Sequence, residues 1–290
     1  MNQSDLLKKV RKLEIKSRGL SAQLFSGQYH SAFKGRGMSF SEVREYQPGD
    51  DVRTIDWNVS ARLNHTYVKV FEEERELTIM LLVDVSGSKD FGTRNQTKME
   101  LVTEVCAVLA FSAMQNNDKI GVVFFSDQIE KYIPPKKGKS HVLRIIRELI
   151  EFKPQKSGTD VGQALKFLTN VIRKRCTAFV LSDFYSGEFD DSLRLANKKH
   201  DIVALPVSDP LESALPDVGL MNILDPETGE TFWVDTSDKA LRKAYEIRAR
   251  KHADKLKLTL SRAGVDSAWI GTDKSYIQPL SNLFKRRGAK

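Results

Sequence analysis

Seven consecutive apolar or β-branched residues, Leu77–Val83, run directly into Asp84, Val85, Ser86, Gly87 and Ser88. A run that short and continuous is expected to be a central strand buried on both faces, as in parallel sheets covered by helices. Oxygen-bearing side chains at the carboxyl end of such a strand sit where open α/β sheets hold their ligands. Alternate spacing lets Asp84, Ser86 and Ser88 turn toward one point, and Gly87 permits the turn. A carboxylate with hydroxyls, and no His or Cys beside them, suits a hard divalent cation better than Zn2+. The competing reading is local: Ser86 and Ser88 cap the next helix, and Asp84 bonds nearby backbone.

The chain beyond Ser88 alternates helix and strand. The spacing predicts a helix over Thr97–Gln115, a buried strand over Lys119–Ser126, and an antiparallel partner over Gln128–Pro134. Helices are expected over 140–152 and 159–175, a strand over 177–183, a helix over 189–199 and a strand over 202–207. This order predicts a doubly wound, mostly parallel α/β sheet. A hairpin around residues 225–229, a basic helix over 237–263, a strand over 265–271 and a helix over 275–284 complete the chain.

Two more oxygen-bearing residues fall at informative places: Thr159 in Ser-Gly-Thr-Asp and Asp183 in Phe-Val-Leu-Ser-Asp. With Asp84-x-Ser86-x-Ser88 they resemble, in order, the metal-ion-dependent adhesion site of von Willebrand factor A domains. The resemblance implies direct ligation of Mg2+ or Mn2+ by Ser86, Ser88 and Thr159, with Asp84 and Asp183 acting largely through water. It also implies an open position for an acidic side chain of a partner. Asp160 reads either as an additional acid near the cation or as a first-turn helix carboxylate.

Residues 4–26 carry apolar positions at helical spacing, interrupted at Gly19. Further on, Arg44, Arg53 and Arg62 alternate with Glu42, Glu45, Asp50, Asp51 and Asp56 around Tyr46 and Trp57. Partly buried ion pairs are the expectation, either as a clasp between an N-terminal region and the main sheet or as a docking surface. For a fully buried pair, removing Arg53 would cost about 3–5 kcal/mol. Residues 66–71 read as a strand. The expected division is 1–76, an N-terminal helix and β-containing clasp region, and 77–290, the von Willebrand factor A-like domain with a hairpin insertion near 219–236.

Gly35-x-Gly37, Arg44-x-Tyr46, Gly49-Asp50-Asp51-x-Arg53 and Ile55-Asp56-Trp57 stand just ahead of the metal motif. Together they resemble a bacterial family, uncharacterised-domain family fifty-eight, from about Gly35 to Leu283. Its members are typically encoded beside MoxR-type AAA+ ATPases, so the resemblance implies such a partner.

Charge and composition limit the other classes. Residues 1–37 carry eight Lys/Arg against two acids, and residues 239–290 carry fourteen against four, within a net charge of +8. Basic ends suit nucleic acid or anionic lipid, but no nucleic-acid motif accompanies them, and solvated helix faces are the simpler reading. No apolar run approaches the ~20 residues of a membrane span, and the Lys-rich start lacks a signal-peptide pattern. Cys106 and Cys176 lie in core-like sequence, as expected of thiols in a reducing cytoplasm. No nucleophile elbow, Walker loop or histidine triad pattern is present. The expected function is therefore a non-enzymatic, metal-dependent adaptor that binds a protein carboxylate and works with a MoxR-type ATPase. A Mg-dependent hydrolase or phosphotransferase is the alternative.

Overall fold

The computed structural model describes residues 10–17, 19–20, 39–72, 76–87, 96–224 and 230–288. The chain forms two compact units, one from Lys34–Leu77 and the other from Met1–Phe33 with Thr78–Lys290. The first helix, α1, is described over 10–17. Its Lys16 ammonium lies 2.7 Å from Glu104, and its Glu14 carboxylate 2.9 Å from Lys139, both residues of the larger unit. The expected grouping of 1–76 is therefore not the one these contacts draw.

In the smaller unit, β1 (Ser39–Glu45) pairs antiparallel with β2 (Tyr67–Glu72). Between them lie a single 3-10 turn, Val52–Thr54, and the short helix α2 (Trp57–Leu63). The acids of this segment are used locally. Asp51 accepts from the Arg53 backbone N–H at 3.0 Å, and Asp56 caps α2 by accepting from Asn58 N–H at 3.0 Å. Asp50 takes both guanidinium arms of Arg44 at 2.8 and 2.7 Å. Trp57 is 71% exposed and Arg53 is exposed. The Arg44–Asp50 pair is partly buried, as expected, while Asp51 and Asp56 serve as caps, because capping draws carboxylates to chain turns at the water boundary. Arg53→Ala is accordingly expected to unfold in urea within about 0.5 kcal/mol of the parent.

The larger unit is built on β3 (Thr78–Asp84), α3 (Lys98–Gln115), β4 (Lys119–Phe125) and β5 (Ile129–Lys136). There follow α4 (Lys139–Glu151), α5 (Val161–Val171), β6 (Thr177–Ser182), α6 (Asp190–Lys199) and β7 (Asp201–Ser208). A one-turn helix α7 (Pro210–Ser213) leads to the hairpin β8 (Leu220–Leu224) and β9 (Thr231–Asp235). The long helix α8 (Lys239–Arg262), the short strands β10 (Asp266–Ser267) and β11 (Ile270–Gly271), and α9 (Ile277–Gly288) complete it.

The sheet runs β10-β7-β6-β3-β4-β5, with β11 also on β7; only β5 is antiparallel to its neighbour. Continuous apolar runs explain this, since both faces of the strands are covered. Met80, Leu82, Val123 and Val180 pack against α5, α6 and α8. On the opposite face Phe179 meets Phe284 of α9 edge-on, with centroids 6.4 Å apart. Gly121 is required where it stands: an added Cβ would come within 2.8 Å of the Ile133 carbonyl and 2.9 Å of the Met80 sulfur. The edge strand β5 thus crosses close over β4, at a register shift between Ile120 and Val122.

Two expected elements differ. The helix expected from Thr159 starts at Val161 with Asp160 as its N-cap, so Thr159 lies in the loop ahead of it. That helix stops at Val171, not Arg175, where Ile172 turns extended and buries its side chain. The expected strand over 265–271 is two 2-residue pieces that keep one register on β7, with Ala268 and Trp269 between them outside the strand. Among the described residues no helix is long and apolar enough to cross a membrane.

Candidate metal centre

The sheet topology itself selects a place. From β3 the chain crosses to β4 on one side, and from β6 it crosses to β7 on the other. The crevice beyond the carboxyl ends of β3 and β6 is therefore the topological switch point, the usual ligand position in such sheets. Asp84 ends β3, and Asp183 follows the last residue of β6.

Asp84 is buried and doubly held. Its Oδ1 accepts from the Ser86 N–H at 3.0 Å, and its Oδ2 accepts from the Ser182 hydroxyl at 2.5 Å. Ser86 is 2% exposed. The long helix α3 is capped by Thr97, in a capping box with Glu100. Ser88 lies outside the described residues. The Gly87 N–H donates to the Ser157 carbonyl at 2.9 Å, which brings the loop carrying Thr159 against the turn. That loop is fixed from behind. Glu130 accepts from the Gln155 and Lys156 N–H groups at 3.2 and 3.1 Å, and the Asp160 N–H donates to the Ser126 carbonyl at 2.8 Å. The Asp160 carboxylate accepts from the Gln163 N–H at 2.8 Å and so N-caps α5.

Asp183 is gripped on several sides. Its Oδ1 accepts from the Tyr185 N–H at 3.1 Å, and its Oδ2 takes the Lys98 ammonium at 3.0 Å. Lys98 also pairs with Glu212 of α7. Phe184, the next residue, holds φ at 59°, rare for a bulky side chain. The conformation is maintained by its 1% exposure and by donation of its N–H to the Ser182 hydroxyl at 2.9 Å. Strained turns of this kind collect at functional sites.

The electrostatics leave the crevice short of positive charge. Burial first, and then the charge of Asp183, push the Asp84 carboxyl up to about 6. Burial likewise raises Glu212, despite Lys98. For Lys98, burial pulls downward, but Asp183 and Glu212 more than reverse it and the ammonium is held. Three carboxylates face one ammonium, so full ionisation leaves two negative charges in excess. A cavity of about 20 Å3 beside these groups is lined by Asp84, Lys98, Ser182 and Asp183 on its polar side and by Met99, Val102, Leu181 and Val207 on its apolar side, with room for one water-sized guest; Ser86 and Thr159 do not line it. One divalent cation matches this charge, and the hydroxyl and carboxylate donors fit a hard one. Among the described residues no group of three or more His, Cys, Asp or Glu is arranged around a metal position.

Lys98, Ser182 and Glu212 are absent from the residues that sequence reasoning selects. A lysine in the first turn of a helix opposes the helix dipole, and that anomaly at Lys98 is the signal for a carboxylate partner. His252 is a further arrival. Its ring stacks on Tyr185 at 3.8 Å between centroids and bonds the Asp183 backbone. Burial lowers its pKa, and its Nε2 is enclosed without a hydrogen-bond partner. It is a strut of the site wall, with neither ring nitrogen turned to solvent.

Known proteins share this framework. An uncharacterised protein of Mycobacterium tuberculosis is 29% identical over 287 residues, 97% of this chain and 90% of the relative. The uncharacterised protein YeaD of Bacillus subtilis is 29% identical over 131 residues, 45% of this chain and 29% of that protein. Among solved structures, an aerotolerance-related membrane protein of Bacteroides fragilis superposes with a TM-score of 0.51 at 15% identity, covering 74% of this chain and all of the other. The fold is the mostly parallel α/β sheet of von Willebrand factor A-type domains. A family profile described as "Protein of unknown function DUF58" matches residues 42–255, most of the chain and both compact units, and the chain belongs to that family.

Proposed function

We propose that this chain is a non-enzymatic, metal-dependent adaptor that presents a divalent cation to an acidic side chain of a partner protein. The charge balance of the crevice carries the reading: two uncompensated negative charges at the switch point, beside Ser86 and the Thr159 loop. Asp84, Ser86, Ser88, Thr159 and Asp183 would hold Mg2+ or Mn2+. The bound cation would supply a Lewis-acidic position that accepts a carboxylate oxygen. Mg2+ readily keeps water in such positions, which leaves room for exchange with a partner. The partner or client is a protein with an exposed carboxylate, and resemblance to the family adds a MoxR-type AAA+ ATPase acting in assembly or maturation of protein complexes. Two features support binding over turnover. The ring nitrogens of His252 are both turned away from solvent, and the Lys98 ammonium is committed to two carboxylates.

Calorimetric titration with Mg2+ or Mn2+ is expected to show one saturable site that Asp84→Ala abolishes. Equal binding by the variant would move the site elsewhere. Complex formation with the cognate ATPase, followed by light scattering, is expected to weaken in chelator and in Asp84→Ala. Phosphoester turnover by the isolated protein, lost in Asp183→Ala, would replace the adaptor reading with the hydrolase.

A further inference from the structure

Lys98 stands first in α3, directly after the N-cap Thr97. It is costly there twice over. A cation opposes the helix dipole, and its side chain is only 5% exposed. Both costs are offset by Asp183 at 3.0 Å and by Glu212. These partners come from different places: Asp183 follows β6, and Glu212 sits in α7, after β7. The second oxygen of Glu212 accepts from the Asp209 N–H at 2.9 Å, so its carboxylate is fixed independently of the lysine. Asp84, Lys98 and Asp183 line one cavity. A tethered ammonium therefore stands among the carboxylates that the adaptor reading assigns to a divalent cation.

We propose that Lys98 sets the cation affinity of this centre, as a resident counter-cation that takes up part of the negative charge before any metal arrives. The inference rests on the metal reading above and adds its control element. With Lys98 in place, the three carboxylates offer a divalent cation two negative charges instead of three. The metal is held less tightly, and the occupied centre keeps one more positive charge with which to receive a partner's carboxylate. Lys98 is thus a positioning residue, acting on the cation through Asp183 and through the field of its own charge.

The test is calorimetric titration with Mn2+ alone on the full chain. Three variants are compared with the parent, each with its melting temperature in metal-free buffer. Lys98→Met adds one uncompensated negative charge, and Mn2+ affinity is expected to rise on the order of tenfold. Glu212→Gln removes one, keeps the acceptor for the Asp209 N–H, and is expected to weaken Mn2+ by a similar factor. Lys98→Met/Glu212→Gln restores the balance, and its affinity is expected to return close to that of the parent. Glu212→Gln and the double variant keep the proposal falsifiable if Lys98→Met does not fold. Mn2+ affinities that stay at the parent value while melting temperatures fall would make the triad structural only and overturn the proposal, with the metal centre standing. No Mn2+ binding by parent or any variant would remove the metal reading, and this inference with it.

Discussion

Lys98→Met is expected to lower folding stability by about 3–5 kcal/mol, the cost of breaking a buried ion pair by removing one partner. Asp183 is 7% exposed and Glu212 20%, so neither carboxylate regains full hydration when the ammonium goes. Urea denaturation in chelating buffer measures the loss as a lower midpoint at unchanged slope. The double variant with Glu212→Gln is expected to recover part of it, because one of the two stranded charges is gone. A Lys98→Met protein as stable as the parent would mean that water reaches both carboxylates.

The second large effect is acid destabilisation through His200. This residue has no exposed surface; its Nδ1 lies 3.3 Å from the Cys176 sulfur, and its Nε2 is enclosed without a hydrogen-bond partner. Burial, reinforced by the charges of Lys199 and Arg175, lowers its pKa from 6.5 to about 4. Because the folded value lies below the unfolded one, the unfolded chain takes up the proton first as pH falls. The neutral imidazole therefore contributes fully above pH 6.5, and that contribution is lost progressively down to about pH 4. Over the whole window the loss is about 3 kcal/mol. Asp84, with its raised carboxyl, titrates with the opposite sign in an overlapping range, so the informative quantity is a difference between proteins. Urea denaturation at pH 7 and pH 4.5 is expected to show a smaller acid loss for His200→Gln than for the parent. Equal losses would place the acid sensitivity elsewhere.

What the sequence conveyed was periodicity and order, and what it hid was pairing at a distance. The run Leu77–Val83 could only be a doubly covered strand, and the alternation after it required a parallel sheet. Carboxylates at the ends of two such strands then fall beside a switch point without further information. Lys98 was illegible because its partners lie 85 and 114 residues away, and a helix pattern reports which face is apolar, not which acid waits across the sheet. Ser182 was read as one more strand residue, although its hydroxyl is a partner of Asp84. The charges around Trp57 were legible only in part, for a related reason. A dense mixture of Arg and acid looks the same whether the acids pair across an interface or cap the next turn, and here Asp51 and Asp56 cap.

The borders of the large sheet limit how it can be approached. One border is β5, which has Pro134 and Pro135 near its end and carries Lys131 and Lys136; the other is made of two strands of two residues each. Proline withholds the N–H that a docking strand would need, lysine discourages stacking, and a two-residue strand offers almost no ladder to extend. Lengthening this sheet with a foreign strand is thereby closed off at both margins. The same devices protect a chain rich in buried β-branched residues from edge-to-edge association while it folds.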